Sequence, residues 1–308
     1  MRDLSLLPPG PFTTAMAADL GLGGRDLHAL VGERRLHRLL VGVYADASLP
    51  LDLALRIRAV SLVLPPGGVV VDRTAAWLHG LDLFRRSSVF EAPPVEVYVV
   101  GGTRMRRDAV DSGTRALLPR DVTEIGGVPV TTPLRTCLDL ARLMWRYDAL
   151  GAIDQYLALG VPREEMLDEL GRFRGFRWVR QARMLVPLGD PRAESMPESA
   201  LRLHWYDALT APPEPQLWVL DDDGHGVYRL DLGNEAMRYG AEYDGRQHHT
   251  ASADVAYDER RRRWLDGRGW EVDPFTQRHV YDLSPHPVDV LQAGWERSRA
   301  RHGLRRTA

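Results

Sequence analysis

The 308-residue sequence contains no lysine, so all 40 of its Lys+Arg residues are arginine. No side-chain ammonium is therefore available to any chemistry this chain performs. Each basic side chain is instead a planar fork that suits phosphate, although coding bias is the plainer origin of the composition. Cysteine is nearly absent too. The single Cys137 sits in the apolar pattern TCLDLA, which excludes an internal disulfide and a cysteine-rich zinc site. No apolar run reaches the roughly 18 to 20 residues that span a bilayer. The opening MRDLSLLPPG has no basic segment followed by an apolar core, so no secretory signal is expected and a cytoplasmic address follows by default. Between residues 51 and 150 neither a phosphate-cradling glycine loop nor a nucleophile elbow is found.

What is present is ordinary for a folded protein: 44% hydrophobic and 27% charged residues, with a net charge of −2. The length suggests two or three domains, and charge placement matters more than the sum. Residues 12–46 read as a winged helix-turn-helix. Thr13 or Thr14 caps a short helix through Asp19, the glycines Gly21 to Gly24 break it, and a second helix runs from Arg25 to Gly32. RRLHRLLVGVYAD then reads as a two-stranded wing around Gly42. Arg25, Arg34, Arg35 and Arg38 are candidates to meet DNA phosphates. The plainer alternative is a structural cap or protein-binding module with a solvated basic face.

Further along, helices are expected in LDLALRIRAVSLVL, in DRTAAWLHGLDL and from Pro133 to Met144. Strands are expected over residues 95–100 and on either side of Gly126-Gly127. His79 reads as a packed or capping histidine. The run RFRGFRWVRQAR interleaves Arg172, Arg174, Arg177, Arg180 and Arg183 with Phe173, Phe176 and Trp178. Such interleaving can bind nucleic acid by stacking, but aromatics at helical spacing favour a core reading, with arginine stems covering its edge. The stretch LGDPRAESMP marks the expected boundary before the last domain.

The stretch from Val227 to His249 reads as two strands joined by a polar turn at Asn234 to Arg238. Asp231 lies on the first strand and Glu242 and Asp244 on the second, where alternate residues share a face. Three converging carboxylates repel unless a proton or cation neutralises them, and Mg²⁺ is the natural oxygen-seeking candidate. The alternative is carboxylates hydrogen-bonded to backbone at strand ends. Upstream, Ser195-Met196-Pro197-Glu198 is a capping box. Downstream, a helix from Ser252 to Gly267 carries a run of four arginines that reads mostly as a solvated face, with Arg261 or Arg262 as candidates to neutralise a phosphate.

Two resemblances follow from these residues. FTTAMAADLG, LHRLLVGVYAD, DRTAAWLHGLDL and VPVTTPLRTCLDLARL resemble the AbiEi family of antitoxins from abortive-infection toxin-antitoxin systems. That resemblance implies an N-terminal winged helix that binds operator DNA, and possible pairing with a nucleotidyltransferase-like toxin. PESALR, YRLDLG, AEYDGRQHH, the run from Asp254 to Leu265 and GRGWEV resemble a domain related to the very-short-patch-repair endonuclease, within the PD-(D/E)XK nuclease fold. That second resemblance implies metal binding by Asp231 and Glu242, completed by Glu198, with Mg²⁺ or Mn²⁺ as cofactor. Asp244 stands where that family has lysine, and His248 (with His249 as runner-up) matches the histidine that would orient or deprotonate a water.

The expected architecture is thus an α+β or α/β multidomain chain. A winged helix-turn-helix covers 1–48, an antitoxin-like mixed α/β region with a helical segment covers 49–190, and a restriction-endonuclease-like α/β domain covers 191–308. The leading expectation is a Mg²⁺-dependent DNA endonuclease with catalytic residues Asp231, Glu242, Asp244 and His248, no membrane contact, and DNA as partner. The alternative is a non-catalytic transcriptional regulator or an antitoxin of an abortive-infection system.

Overall fold

A computed structural model describes residues 7–84, 94–99, 110–113, 115–245 and 252–303. The chain is mixed α/β, with three sheets and two compact units that divide at Leu140 and Ala141.

The first unit opens with β1 (Phe12–Thr13), α1 (Thr14–Asp19), α2 (Gly24–Gly32), β2 (Leu36–Leu40) and β3 (Val43–Asp46). Thr13 caps α1 by accepting from the Met16 NH at 3.2 Å, an N-cap of the usual serine/threonine type. Helix α2 stops because Arg34 adopts the left-handed conformation at φ 56°, turning the chain into β2. Gly42, at φ 75°, makes the tight reversal between β2 and β3, a conformation that costs glycine little. The three strands form an antiparallel sheet in the order β1-β3-β2. Phe12, Ala17, Leu27, Leu30, Val31 and Leu36 close over it as a small core of their own.

Next come α3 (Leu53–Ser61), β4 (Gly68–Val70), α4 (Asp72–Leu78), β5 (Val95–Val99), β6 (Val110–Gly113), β7 (Val122–Ile125), β8 (Val128–Thr131) and α5 (Pro133–Leu143). The strands form a mixed sheet in the order β6-β5-β4-β8-β7. Gly126 and Gly127, both at positive φ, make the two-residue hairpin turn between β7 and β8. At the end of α4, His79 is the capping residue, and burial lowers its imidazole to about 4, so it stays neutral.

One network in this unit was not visible in the sequence. Arg115 reaches Asp72 at 2.7 Å and Asp139 at 2.8 Å, while Arg135 bonds Asp121 at 2.6 Å and the same Asp139 at 2.8 Å. Arg135 and Asp139 are almost wholly buried. Groups of this kind persist in a core only when each charge has a partner.

The second unit holds α6 (Arg146–Ala158), α7 (Arg163–Glu169), α8 (Val179–Leu185), α9 (Met196–Ala208), β9 (Glu214–Leu220), β10 (Gly226–Asn234), β11 (Tyr239–Tyr243), α10 (Ser252–Gly267), β12 (Glu271–Phe275), α11 (Gln277–Val280) and α12 (Pro287–Arg301). From α9 onward the order is helix, three antiparallel strands, crossover helix, and a fourth strand parallel to the third. Sheet order is β12-β11-β10-β9. Helix α9 is buried along most of its length, with Trp205 and Leu201 fully covered. Gly151 lets α6 approach it closely, because a Cβ there would stand 2.6 Å from the Met196 sulfur.

The compact division falls inside α5, and residues 188–197, the expected boundary before the last domain, lie within the second unit and are tied to helices on both sides. The physical reason is a buried clamp. Arg202 on α9 bonds Asp154 on α6 at 2.6 Å and the Leu188 carbonyl at 2.6 Å, and Asp154 accepts from the Asp190 NH at 2.7 Å. Burial pushes the Asp154 carboxyl up and the Arg202 charge opposes it. Helices α6 to α8 therefore fold with the last sheet. Among the described residues no helix is long and apolar enough to cross a membrane.

Candidate functional site

The acidic residues singled out in the sequence come from three elements. Asp231 lies between the buried Leu230 and Leu232 of β10, Glu242 lies on β11, and Glu198 lies in the first turn of α9. The hairpin brings Asp231 beside the second strand, where its Oδ2 accepts from the Tyr243 NH at 2.8 Å. Burial raises the Asp231 carboxyl to about 7, and the negative charges of Glu198 and Glu242 add to the rise. The Tyr243 NH and Arg261 oppose it. At neutral pH this carboxyl is therefore divided between its acid and its anion.

The other two carboxylates are already engaged. Arg261 of α10 places its guanidinium against both oxygens of Glu242 and also donates to the Arg229 carbonyl at 3.1 Å. Glu198 accepts from the Ser195 hydroxyl at 2.7 Å, the Glu194 NH at 3.0 Å and Gln216 Nε2 at 2.8 Å. The capping-box reading of Glu198 thus describes what it touches, and its charge still reaches Asp231. Gln216 on β9 is a member of this site that the sequence did not reveal. Its backbone is left-handed at φ 56°, and no local motif announces that.

A divalent ion here would have to share Glu242 with Arg261, and Glu198 with Ser195, Glu194 and Gln216. Among the described residues, Glu198, Asp231 and Glu242 do not bring one oxygen each within 4.8 Å of one another. The cation beside Glu242 is the protein's own Arg261, a charge-assisted pair with the geometry such forks favour. A group that does meet that spacing is Asp221, Asp223 and His225 in the turn between β9 and β10. There, one Asp221 oxygen accepts from the Asp223 and His225 NH groups at 3.0 and 2.8 Å. That is the signature of an aspartate-capped turn, and the exposed loop is explained by it.

The remaining candidates separate. Asp244 lies just past the end of β11, exposed, with its NH donating to the Phe275 carbonyl at 2.6 Å. His248 and His249 lie outside the described residues. Arg262 is exposed on α10, next to the inward-reaching Arg261. In the N-terminal unit Arg25 and Arg34 are exposed, and Arg35 and Arg38 are partly covered. Arg35 lies 3.8 Å from the exposed Glu33.

Residues 68–188 match the family model of the AbiEi antitoxin C-terminal domain. Two uncharacterized proteins of Mycobacterium tuberculosis, MT2308 (strain CDC 1551 / Oshkosh) and Rv2248 (strain ATCC 25618 / H37Rv), are each 31% identical to the chain over 242 residues. The alignment covers 78% of this chain and 84% of each relative. The chain belongs to the family of these mycobacterial proteins. The matched region takes in the five-stranded sheet and helices α5 to α8, and so crosses from one compact unit into the other. The acidic centre lies after the end of that region.

Proposed function

We propose that this protein is a DNA-binding regulator of the antitoxin type. The observation that carries the reading is the AbiEi antitoxin match over residues 68–188. In this reading the N-terminal unit is a winged helix-turn-helix, with α2 as the recognition helix and the β2-β3 hairpin as the wing. Arg25, Arg34, Arg35 and Arg38 would meet phosphates, which fix register on a duplex without reading its sequence. A nucleotidyltransferase-like toxin is the expected protein partner. The last α-β-β-β-α-β segment is then a PD-(D/E)XK-like scaffold whose acidic centre is held by an arginine rather than used for turnover.

A gel shift on the duplex upstream of the protein's own gene tests this reading. Binding without added metal, with the DNA left intact, is the expected result. Replacing Arg34 and Arg38 with alanine should weaken binding and lower the slope of log affinity against log salt by about 0.9 for each phosphate no longer neutralised. No shift at low salt removes the regulator reading.

A second reading, a Mg²⁺- or Mn²⁺-dependent nuclease, draws on the electrostatic proximity of Asp231 to Glu198 and Glu242. It requires Arg261 to leave Glu242. Plasmid incubation with either metal decides it, because equal cleavage by wild type and Asp231→Ala would leave no enzyme to explain.

A further inference from the structure

The strongest unexplained surface is the segment from Gly171 to Met184, GRFRGFRWVRQARM, which leads into α8. It contains five arginines and no acidic residue. The sequence favoured a core role for its aromatic residues, and the structure grants that to Phe173 alone, which is 1% exposed. Phe176 is 37% exposed and Trp178 is 57% exposed. Among the described residues Arg174, Arg177 and Arg180 form no ion pair, while Glu169, the nearest acidic residue in sequence, is paired with Arg172 at 3.1 Å.

The segment is held firmly from below. Arg142, 4% exposed, donates to the Arg177 carbonyl at 2.8 Å and stacks its guanidinium over Phe173 and Phe176 at 5.0 and 5.4 Å. Gln181 donates to the Ala141 and Met144 carbonyls, each at 2.9 Å. Phe173 meets Phe176 edge to face at 5.3 Å. On this platform Trp178 adopts a left-handed backbone, φ 61° and ψ 15°, an uncommon conformation for a bulky residue. A large indole kept outward in an unfavourable backbone gains nothing from the core, and such outliers cluster where a surface is used.

We infer that this segment is a docking surface for single-stranded nucleic acid. The arginines would track the phosphates, and Trp178 and Phe176 would offer stacking faces to successive bases. Positive charge along a backbone path combined with exposed aromatics is the chemistry that retains single strands without sequence preference. A duplex, with its bases already stacked, offers phosphates alone to this surface. Arg177 lies 5.4 Å from the Trp178 ring centroid and adds a cation–π contact to the platform.

The test is fluorescence anisotropy of the full-length protein with labelled oligo(dT) and oligo(U), against the same length of duplex. Trp178→Ala should weaken single-strand binding roughly tenfold, and Trp178→Phe should restore most of it. Arg177→Ala and Arg180→Ala should each lower the slope of log affinity against log salt by about 0.7. The Arg34→Ala, Arg38→Ala variant should weaken the operator shift and keep oligonucleotide binding, which separates this surface from the N-terminal unit. Binding of both oligo(dT) and oligo(U) more tightly than duplex is the expected result, and tighter binding of duplex overturns the inference. The inference is overturned if Trp178→Ala, with an unchanged melting temperature, binds like wild type. It is equally overturned if the Arg34, Arg38 variant loses oligonucleotide binding, or if an acidic peptide displaces the strand from wild type and Trp178→Ala alike.

Discussion

Two ionic centres, one in each compact unit, solve the same problem differently. In the first unit Asp72, Asp121 and Asp139 face two guanidinium groups, and each carboxylate touches at least one of them. In the second, among the described residues, Glu198, Asp231 and Glu242 face Arg261, and Glu242 touches it. In the first, every one of these carboxylates is paired. The second carries surplus negative charge, and Asp231 answers it with a carboxyl raised to about 7. Residue type alone does not separate the two, since both are aspartates and glutamates beside arginine. The ratio of guanidinium to carboxylate groups, and the partners each one reaches, separates them.

Removing a cation from the first network should have the largest effect. Arg135→Met leaves Asp121 and Asp139 buried without that partner, and should cost about 3–5 kcal/mol. Urea unfolding measures it, with the two units followed separately because one transition is not assured. A loss below about 1 kcal/mol would mean that the network behaves like a surface pair and that the two centres do not differ in kind.

The surplus charge of the second centre predicts a pH dependence. Asp231 is raised from 3.8 to about 7 in the folded protein. The folded state then binds the proton more tightly, so its contribution to stability is complete below about 4 and is lost as pH rises through about 7. Asp231→Asn has no such proton to lose. Its stability relative to wild type should grow between acidic and mildly alkaline pH, by on the order of 2–4 kcal/mol. Parallel pH profiles of the two proteins would show that Asp231 is not the group storing the charge.

The smallest change is expected at Arg261. Arg261→Met strips Glu242 of its partner at a half-buried site, a loss of about 1–2 kcal/mol at neutral pH. Because Arg261 opposes the rise at Asp231, the same variant should push the Asp231 titration higher. A carboxyl titration followed by NMR distinguishes this from simple loss of packing, which would leave the titration in place.

Much of the scaffold was legible because it is written locally. Thr13, Ser195 and Pro197 mark helix starts, and Gly42 and Gly126-Gly127 mark turns, so α1, α9 and two hairpins sit where those residues put them. Asp231 and Glu242 were legible as a pair because a short turn between strands forces them together. Gln216 was not, since the partner it needs, Glu198, is eighteen residues away on a different element. Arg261 was seen only as one of four consecutive arginines. The pitch of α10 and its crossover over the sheet selected it to turn inward while Arg262 stayed in solvent. The exposed Trp178 was missed because a hydrophobic ring in a periodic run reads as core until the fold shows where the core ends.

The amino-acid order by itself determined the caps, the turns, the all-arginine cation chemistry and the presence of an acidic strand pair, because each depends on neighbours a few positions apart. Only the tertiary structure decided which arginine neutralises which carboxylate, how far Asp231 is removed from water, and which aromatic rings remain outside. Charge balance and burial are sums over groups distant in sequence, and those sums exist only once the chain has closed on itself.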